Sequence, residues 1–132
     1  MPAGHLSLGA RGEEAAARFL ERAGLCLLER NWRWKQWELD LICEEGETLV
    51  FAEVKTRGPG SLAAPADALN AAKQARLFKA AAQYLSKHKA WERPCRFDLV
   101  SVRILESGEE IEHVRDAFSP PLGGGHAAWQ PW

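Results

Sequence analysis

The fold is decided by residues 37–57, which read WELDLICEEGETLVFAEVKTR. Apolar residues fill both halves of this stretch, and the polar turn at residues 44–47 separates them, which predicts two strands joined in a hairpin. Acidic residues and a lysine nevertheless stand inside segments that should belong to the core. Because an isolated charge is costly in an apolar interior, this contrast between polarity and position is the strongest functional signal in the chain.

Asp40 and Glu53 lie on the two strands of that hairpin, so both carboxylates can converge on one side of the sheet. Two carboxylates without histidine or cysteine are hard oxygen ligands, which suit Mg²⁺ or Mn²⁺ rather than Zn²⁺. Lys55 points the same way as Glu53 and can hold an attacking water or stabilise charge on a phosphate. The set predicts metal-assisted hydrolysis of a phosphodiester. The alternative is a buried ion pair of Lys55 with Glu53 or Asp40 that merely closes the core.

The first helix brings a third acid towards this set. On a helical wheel Ala16, Ala17 and Leu20 share one face, and Glu13 falls in the middle of that face, whereas Glu14 lies round towards the arginine side. An acid in the first turn complements the helix dipole, but the dipole does not explain an acid that points inward. Glu13 is therefore a candidate site residue.

Periodicity predicts the remaining elements of the chain. They are a helix over residues 9–23, a strand over 25–30, the hairpin strands over 37–43 and 49–55, a long helix from 66 or 67 to 88, and strands over 96–105 and 111–114. In the strand over 37–43, alternation places Leu39, Leu41 and Cys43 on one face. This order favours an α/β (α+β) domain whose mixed sheet is flanked by helices. The domain is expected to span residues 1–118, followed by a flexible Gly/Pro/Trp tail over 119–132.

Basic residues around the hairpin indicate a surface for nucleic acid. Residues 31–36, NWRWKQ, alternate aromatic and basic side chains that can stack on bases and touch phosphate. Tryptophans that simply cover the sheet explain the pattern equally well. The basic stripe of the long helix is either a solvated face or a ridge that tracks phosphates. The candidate contacts are Arg33, Lys35, Arg57, Lys73 and Arg76.

Composition sets outer limits on function. The net charge is −1, but residues 30–103 hold 13 of the 17 Lys and Arg and 9 of the 18 acids, which leaves +4 there and −5 in the two ends combined. The three cysteines lie far apart without a Cys-x-x-Cys pair, which favours buried free thiols over a zinc site. No apolar run approaches the ~20 residues of a membrane span. A cytoplasmic protein without a membrane partner is expected.

Asp40 followed by Glu53-Val54-Lys55 resembles the PD-(D/E)xK nuclease signature, the active-site motif of the restriction-endonuclease-like fold. Nearly the whole chain, to about Phe118, resembles the YraN-like family of small bacterial proteins of uncertain function. The matching pieces are Gly9, Gly12-Glu13, Ala16, Leu20, Gly24-Leu25, Asn31, residues 38–42, residues 51–57, Lys73, Arg96-Phe97-Asp98 and Ala117-Phe118. The family usually has glycine at the position of Trp37, and the proline of the motif's name is absent.

The resemblance implies a three-layer αβββαβ nuclease core similar to archaeal Holliday-junction resolvases, with Glu13 as the first-helix glutamate. It implies that Asp40, Glu53 and the backbone carbonyl of Val54 bind Mg²⁺ or Mn²⁺, and that Lys55 positions the water. The expected partner is DNA, branched or damaged, and resolvase-like work would need a homodimer. The alternatives are a non-catalytic nucleic-acid-binding module, or an adaptor in DNA processing that uses Trp129 and Trp132.

Overall fold

The computed structural model describes residues 7–60 and 69–120. Within them lie α1 (Leu8–Arg22), β1 (Cys26–Trp34), β2 (Trp37–Glu45), β3 (Thr48–Arg57), α2 (Ala71–Lys87), β4 (Cys95–Leu105) and β5 (Gly108–Phe118). The strands form one mixed sheet in the order β1-β2-β3-β4-β5, with β3 and β4 parallel and the other neighbours antiparallel. The predicted α+β class and αβββαβ order are confirmed, and β5 adds an edge strand. Most of the predicted tail, residues 121–132, lies outside the described residues.

Short polar side chains set the start of each helix. Ser7 Oγ accepts a hydrogen bond from the Ala10 N–H at 3.1 Å, and Asn70 Oδ1 accepts one from the Lys73 N–H at 2.8 Å. Because Asn70 is extended and caps α2, the helix begins at Ala71. The predicted start at residue 66 or 67 is therefore wrong for residues 69 and 70, and residues 61–68 lie outside the described part of the chain.

Two strands are longer than predicted because their ends pair with a neighbour. β1 continues to Trp34, which pairs with Trp37 across a two-residue turn in which Lys35 has a φ of 56°. β5 pairs with β4 from Gly108 as far as Phe118. Its many charged residues suit an edge strand but hide the strand pattern in the sequence.

The sheet is the middle of three layers. α1 covers one face of the sheet, where Leu20, Leu41, Val50 and Val100 belong to a common core. α2 covers the other face, where Phe78 packs with the hairpin and β4 in a second core. No helix in the described ranges is both long and apolar enough to cross a membrane. The centre of the sheet is thus closed on both faces, and Asp40 lies where the pairing of β2 with β3 stops.

Candidate active site

β2 and β3 separate beyond the pair Leu41 and Ala52, and Asp40 stands in the space between them, termed here the β2–β3 gap. The ladder between the two strands stops at that pair. One residue further along β2, Asp40 Oδ2 accepts a hydrogen bond from the Val54 N–H at 2.9 Å. The carboxylate takes the place of a β2 backbone acceptor, so the side chain lies close to the plane of the sheet.

A twist in the β1–β2 hairpin accompanies the gap. Asn31, between the β1 residues that pair with Leu39 and Leu41, has a φ of 50°, in the left-handed region that asparagine tolerates better than most residues. Leu41 belongs to the α1-side core, whereas Leu39 belongs to the α2-side core. The predicted alternation, which put both leucines on one face, is wrong at this point because the hairpin twists there.

Glu53 of β3 completes the acid pair. Its side chain is only 7% exposed, and its carboxyl interacts with that of Asp40. Burial, and next the charge of Glu53, raise the pKa of Asp40 to about 7. Because like charges so near each other disfavour ionisation, Asp40 without a metal retains its proton up to near-neutral pH.

Glu13 approaches the pair from α1. Burial, and next the negative charge of Asp40, raise the pKa of Glu13. This approach depends on Gly12, because a Cβ at that position would lie 1.8 Å from Thr56 Oγ1 on β3. Glu14, by contrast, forms an exposed ion pair with Arg30 at 2.6 Å. The structure thus directs Glu13 towards Asp40 and Glu14 to the surface.

Among the residues that the structure describes, Lys73 rather than Lys55 forms an ion pair with Glu53. Lys73 Nζ, from the first turn of α2, lies 3.2 Å from Glu53 Oε2. Lys55 is exposed, two residues beyond Glu53 on the same strand. Glu53 therefore forms an ion pair, and its partner is not the nearby Lys55 but Lys73, which lies 20 positions further along the chain.

The other basic candidates lie around the gap and the hairpin tip. Arg57 is half-buried, and its Nε is buried without a hydrogen-bond partner among the described residues. Arg76 is exposed on α2. Arg33 pairs with Glu38 at 3.3 Å and its side chain is 74% exposed. These arginines present cations at the surface on the hairpin, on α2 and at the end of β3.

Cation–π contacts from Lys79 and Lys87 of α2 connect the hairpin tip to that helix, and a third lies within the hairpin. Lys35 Nζ and Lys87 Nζ lie 5.9 and 5.1 Å from the centroid of the Trp34 ring. Lys79 Nζ lies 6.0 Å from that of Trp37. Trp37, which stands where the resembled family has glycine, packs against the α2-side core. Its ring thus belongs to the junction between hairpin and helix.

The donors in the gap fit Mg²⁺ or Mn²⁺. In an extended strand the N–H and C=O of one residue project to the same edge. Because the Val54 N–H meets Asp40, the Val54 carbonyl also faces the gap, beside two carboxylates. In residues 7–60 and 69–120 no group of three His, Cys, Asp and Glu side chains has the geometry of a metal site. Coordination would be completed by backbone and water, as Mg²⁺ commonly requires.

A second acid, Asp98, is fully buried on β4. It is not among the site residues that the sequence predicts. Arg96 donates to it from Nε and Nη2 at 2.9 and 3.1 Å, and it also meets His113 Nε2 at 2.7 Å and the Asp116 N–H at 2.9 Å. Burial would raise the pKa of Asp98, but these hydrogen bonds outweigh it and lower the pKa. Arg96 and Asp98 lie two residues apart on one strand, a spacing that predicts their pairing. His113 lies on β5 and reaches Asp98 only because of the β4–β5 register.

Comparison with known proteins identifies the family of this chain. Residues 12–102 match the profile of the "Uncharacterised protein family UPF0102". The chain belongs to this family. The resemblance to the YraN-like family is thereby confirmed, and the matched range includes Glu13, the acid pair and Lys73.

Relatives within UPF0102 cover most of the chain. A UPF0102 protein of Nitratidesulfovibrio vulgaris is 48% identical over 126 residues, 94% of each chain. One of Rhodococcus opacus is 47% identical over 118 residues, 86% of this chain and 98% of its own. One of Geobacter metallireducens is 39% identical over 112 residues, 85% of this chain and 92% of its own. Their names state no activity, so function must be argued from the site.

Proposed function

We propose that this protein is a divalent-metal-dependent nuclease that hydrolyses phosphodiester bonds of DNA at the β2–β3 gap. The observation that carries the proposal is the position of Asp40 in the gap, where its Oδ2 accepts a hydrogen bond from the Val54 N–H at 2.9 Å beside the buried Glu53, together with the pKa of Asp40 raised to about 7 by burial and by Glu53. Strongly shifted pKa values concentrate at functional sites. The spacing of the pair with Lys55, which resembles the PD-(D/E)xK signature, supports the same role.

The side chains of the gap divide the work of hydrolysis. Asp40, Glu53 and the Val54 carbonyl would hold Mg²⁺ or Mn²⁺, and the bound ion would polarise a phosphate oxygen and lower the pKa of a water. Lys55 orients that water or stabilises charge on the phosphate. Glu13, whose pKa burial and Asp40 raise, assists as a proton acceptor from the opposite side.

The cations around the gap supply contacts to the nucleic-acid backbone. Arg57 and Lys55 follow Glu53 on β3, and Lys73 and Arg76 lie on the first half of α2. Such contacts position a substrate without reading its sequence. Branched or damaged DNA remains the proposed substrate on the strength of the resemblance to resolvases. Cutting two strands of a junction would also need a homodimer.

A cleavage assay tests the proposal. Purified protein is incubated with linear, single-stranded and branched DNA in Mg²⁺, in Mn²⁺ and in EDTA. Cleavage is expected with the metals only, and Asp40→Ala, Glu53→Gln and Lys55→Met should each lower its rate by at least about a hundredfold. Glu14→Gln, a change at a nearby acid that faces the surface, is the matched control. Cleavage that survives Asp40→Ala would contradict the proposal.

The hairpin tip favours a second candidate, a nucleic-acid-binding module without catalysis. Trp34 lies beside the ammonium groups of Lys35 and Lys87, a combination suited to base stacking and phosphate contact. This candidate predicts DNA binding with a steep salt dependence and no Mn²⁺ binding that depends on Asp40 or Glu53. The adaptor hypothesis rests on Trp129 and Trp132, which lie outside the described residues.

A further inference from the structure

Lys73 reaches from the protein surface to Glu53, the buried member of the acid pair. Its Nζ lies 3.2 Å from Glu53 Oε2, and the lysine side chain is 38% exposed where the glutamate is 7% exposed. The Lys73 ammonium thus pairs with Glu53, which is one of the two acids proposed to bind the metal. The contact is anchored on α2, whereas both acids belong to the β2–β3 hairpin.

Helix stability does not explain a lysine at this position. Lys73 lies in the first turn of α2, where its N–H is capped by Asn70 Oδ1, and that turn contains no acidic residue. The positive end of the helix dipole disfavours a cation there, and the third position after the cap favours Glu or Gln. The ion pair with Glu53, and not the stability of α2, therefore accounts for a lysine at this position.

We propose that Lys73 is an exchangeable cation of the site. It neutralises Glu53 in the metal-free protein, leaves the carboxylate when the divalent ion binds, and then contacts a phosphate of the DNA. The inference rests on the proposed function, because the metal is what displaces the lysine. A lysine stem is flexible enough for such a move, and the side chain is partly exposed.

Exchange gives the lysine opposite effects on the two ligands. While Lys73 is paired with Glu53, it competes with the metal for that carboxylate, so removal of its charge should strengthen metal binding. Once the metal is bound, the same charge is available to DNA, so its removal should weaken DNA binding. A residue that only supports the fold would change both affinities in the same direction.

Mn²⁺ titration of the full-length chain, followed by calorimetry or by the electron paramagnetic resonance signal of the free ion, tests the first effect. Lys73→Met should bind Mn²⁺ about two- to fivefold more tightly than wild type, the range expected for loss of a partly exposed ion pair. Lys73→Arg, which keeps the charge, should show no such gain. Lys89→Met removes an equal charge at an exposed position beyond the other end of α2 and should leave the Mn²⁺ affinity unchanged. Thermal melts establish that each variant is folded.

Binding of a DNA oligonucleotide in Ca²⁺ and in EDTA tests the second effect. Lys73→Met should weaken binding severalfold in Ca²⁺ and change it little in EDTA. Wild-type protein that binds Mn²⁺, with a Lys73→Met variant that binds it no more tightly, would overturn this inference and leave the proposed function standing. Weaker binding of Mn²⁺ as well as DNA by a folded Lys73→Met would do the same, whereas wild type that binds no Mn²⁺ would overturn both.

Discussion

Asp40 Oδ2 accepts a hydrogen bond from the Val54 N–H at 2.9 Å at the place where β2 stops pairing with β3. A side chain thereby satisfies a backbone donor that the strand ladder leaves open. The same bond brings a carboxylate and the edge of β3 that carries the Val54 carbonyl together. It explains how a hairpin with an apolar centre ends in a cluster of oxygen donors.

Replacing Asp40 by asparagine should change how stability depends on pH. Burial, and next the charge of Glu53, raise the folded-state pKa of Asp40 from 3.8 to about 7. The stability contributed by its bound proton is therefore present below about pH 4 and is lost as pH rises through about 7. Asp40→Asn keeps an acceptor for Val54 without the charge, so it should be more stable than wild type at about pH 8 by roughly 1–3 kcal/mol.

Urea unfolding at several pH values between about 4 and 8 measures this difference. The advantage of Asp40→Asn should shrink as the pH is lowered, because wild-type Asp40 becomes protonated. Glu14→Gln, a change at a surface acid, should leave the wild-type slope in this window nearly intact. Equal slopes for wild type and Asp40→Asn would show that the buried carboxyl does not hold the proton.

Gly12 and Gly9 should respond in opposite ways to replacement by alanine. A Cβ at Gly12 would lie 1.8 Å from Thr56 Oγ1, whereas a Cβ at Gly9 meets nothing within 4 Å. Gly12→Ala should destabilise the protein by about 1–3 kcal/mol and weaken Mn²⁺ binding by displacing Glu13. Gly9→Ala should be neutral or stabilise by up to about 1 kcal/mol.

This close approach is tested by the unfolding free energies of three variants. They are Gly9→Ala, Gly12→Ala, and Gly12→Ala combined with Thr56→Ala. The second substitution removes Thr56 Oγ1 and Cγ2, two of the three atoms that an alanine Cβ at position 12 would approach most closely, so it should recover part of the lost stability. Similar effects of alanine at both glycines would mean that α1 does not approach β3 as closely as the structure has it.

Asp98 should matter for stability and not for metal binding. Asp98→Asn would break the network that the fully buried Asp98 forms with Arg96 and His113, and it should destabilise the protein by about 3–5 kcal/mol. Burial raises the pKa of Asp98, but its hydrogen bonds outweigh burial and lower it. Its contribution is therefore present above the unfolded pKa of about 4 and lost as pH falls below it.

Calorimetric melting and Mn²⁺ titration at a temperature where the variant is folded separate the two roles. Asp98→Asn should melt at a lower temperature than wild type and bind Mn²⁺ with unchanged affinity. Loss of Mn²⁺ binding by a folded Asp98→Asn would instead connect this network to the acid pair.

The hairpin tip should contribute to nucleic-acid binding independently of the metal. Trp34→Ala should weaken binding of single-stranded DNA by about 1–3 kcal/mol if a base stacks on the ring. Lys35→Ala should lower the salt dependence of binding by about one counterion. Fluorescence anisotropy over a series of salt concentrations measures both, with Lys89→Met as the control. Unaltered affinity in Trp34→Ala would assign the tryptophan to the hairpin–helix junction alone.

The hairpin and its acids could be predicted from sequence because acids in apolar strands contradict their surroundings. Glu13 could be chosen over Glu14 from helical geometry alone, and the structure directs the first inward and the second to Arg30. In both cases the deciding pattern is local, within one helix or one hairpin.

The remaining features depend on tertiary contacts that local patterns do not specify. The twist at Asn31, with its φ of 50°, separates Leu39 from Leu41 and has no signal in strand alternation. Periodicity predicts a start of α2 at residue 66 or 67, and it does not register that Asn70 caps the helix at Ala71. Lys73 meets Glu53 only because α2 packs on a face of the sheet to which the β2–β3 hairpin contributes.

Anomalous diffraction from a crystal soaked in Mn²⁺ would show directly whether a divalent metal is held between Asp40 and Glu53. We expect a manganese peak in the β2–β3 gap, with both carboxylates and the Val54 carbonyl as ligands and Lys73 moved away from Glu53. Absence of a peak, with Lys73 still paired with Glu53, would contradict the proposed metal site.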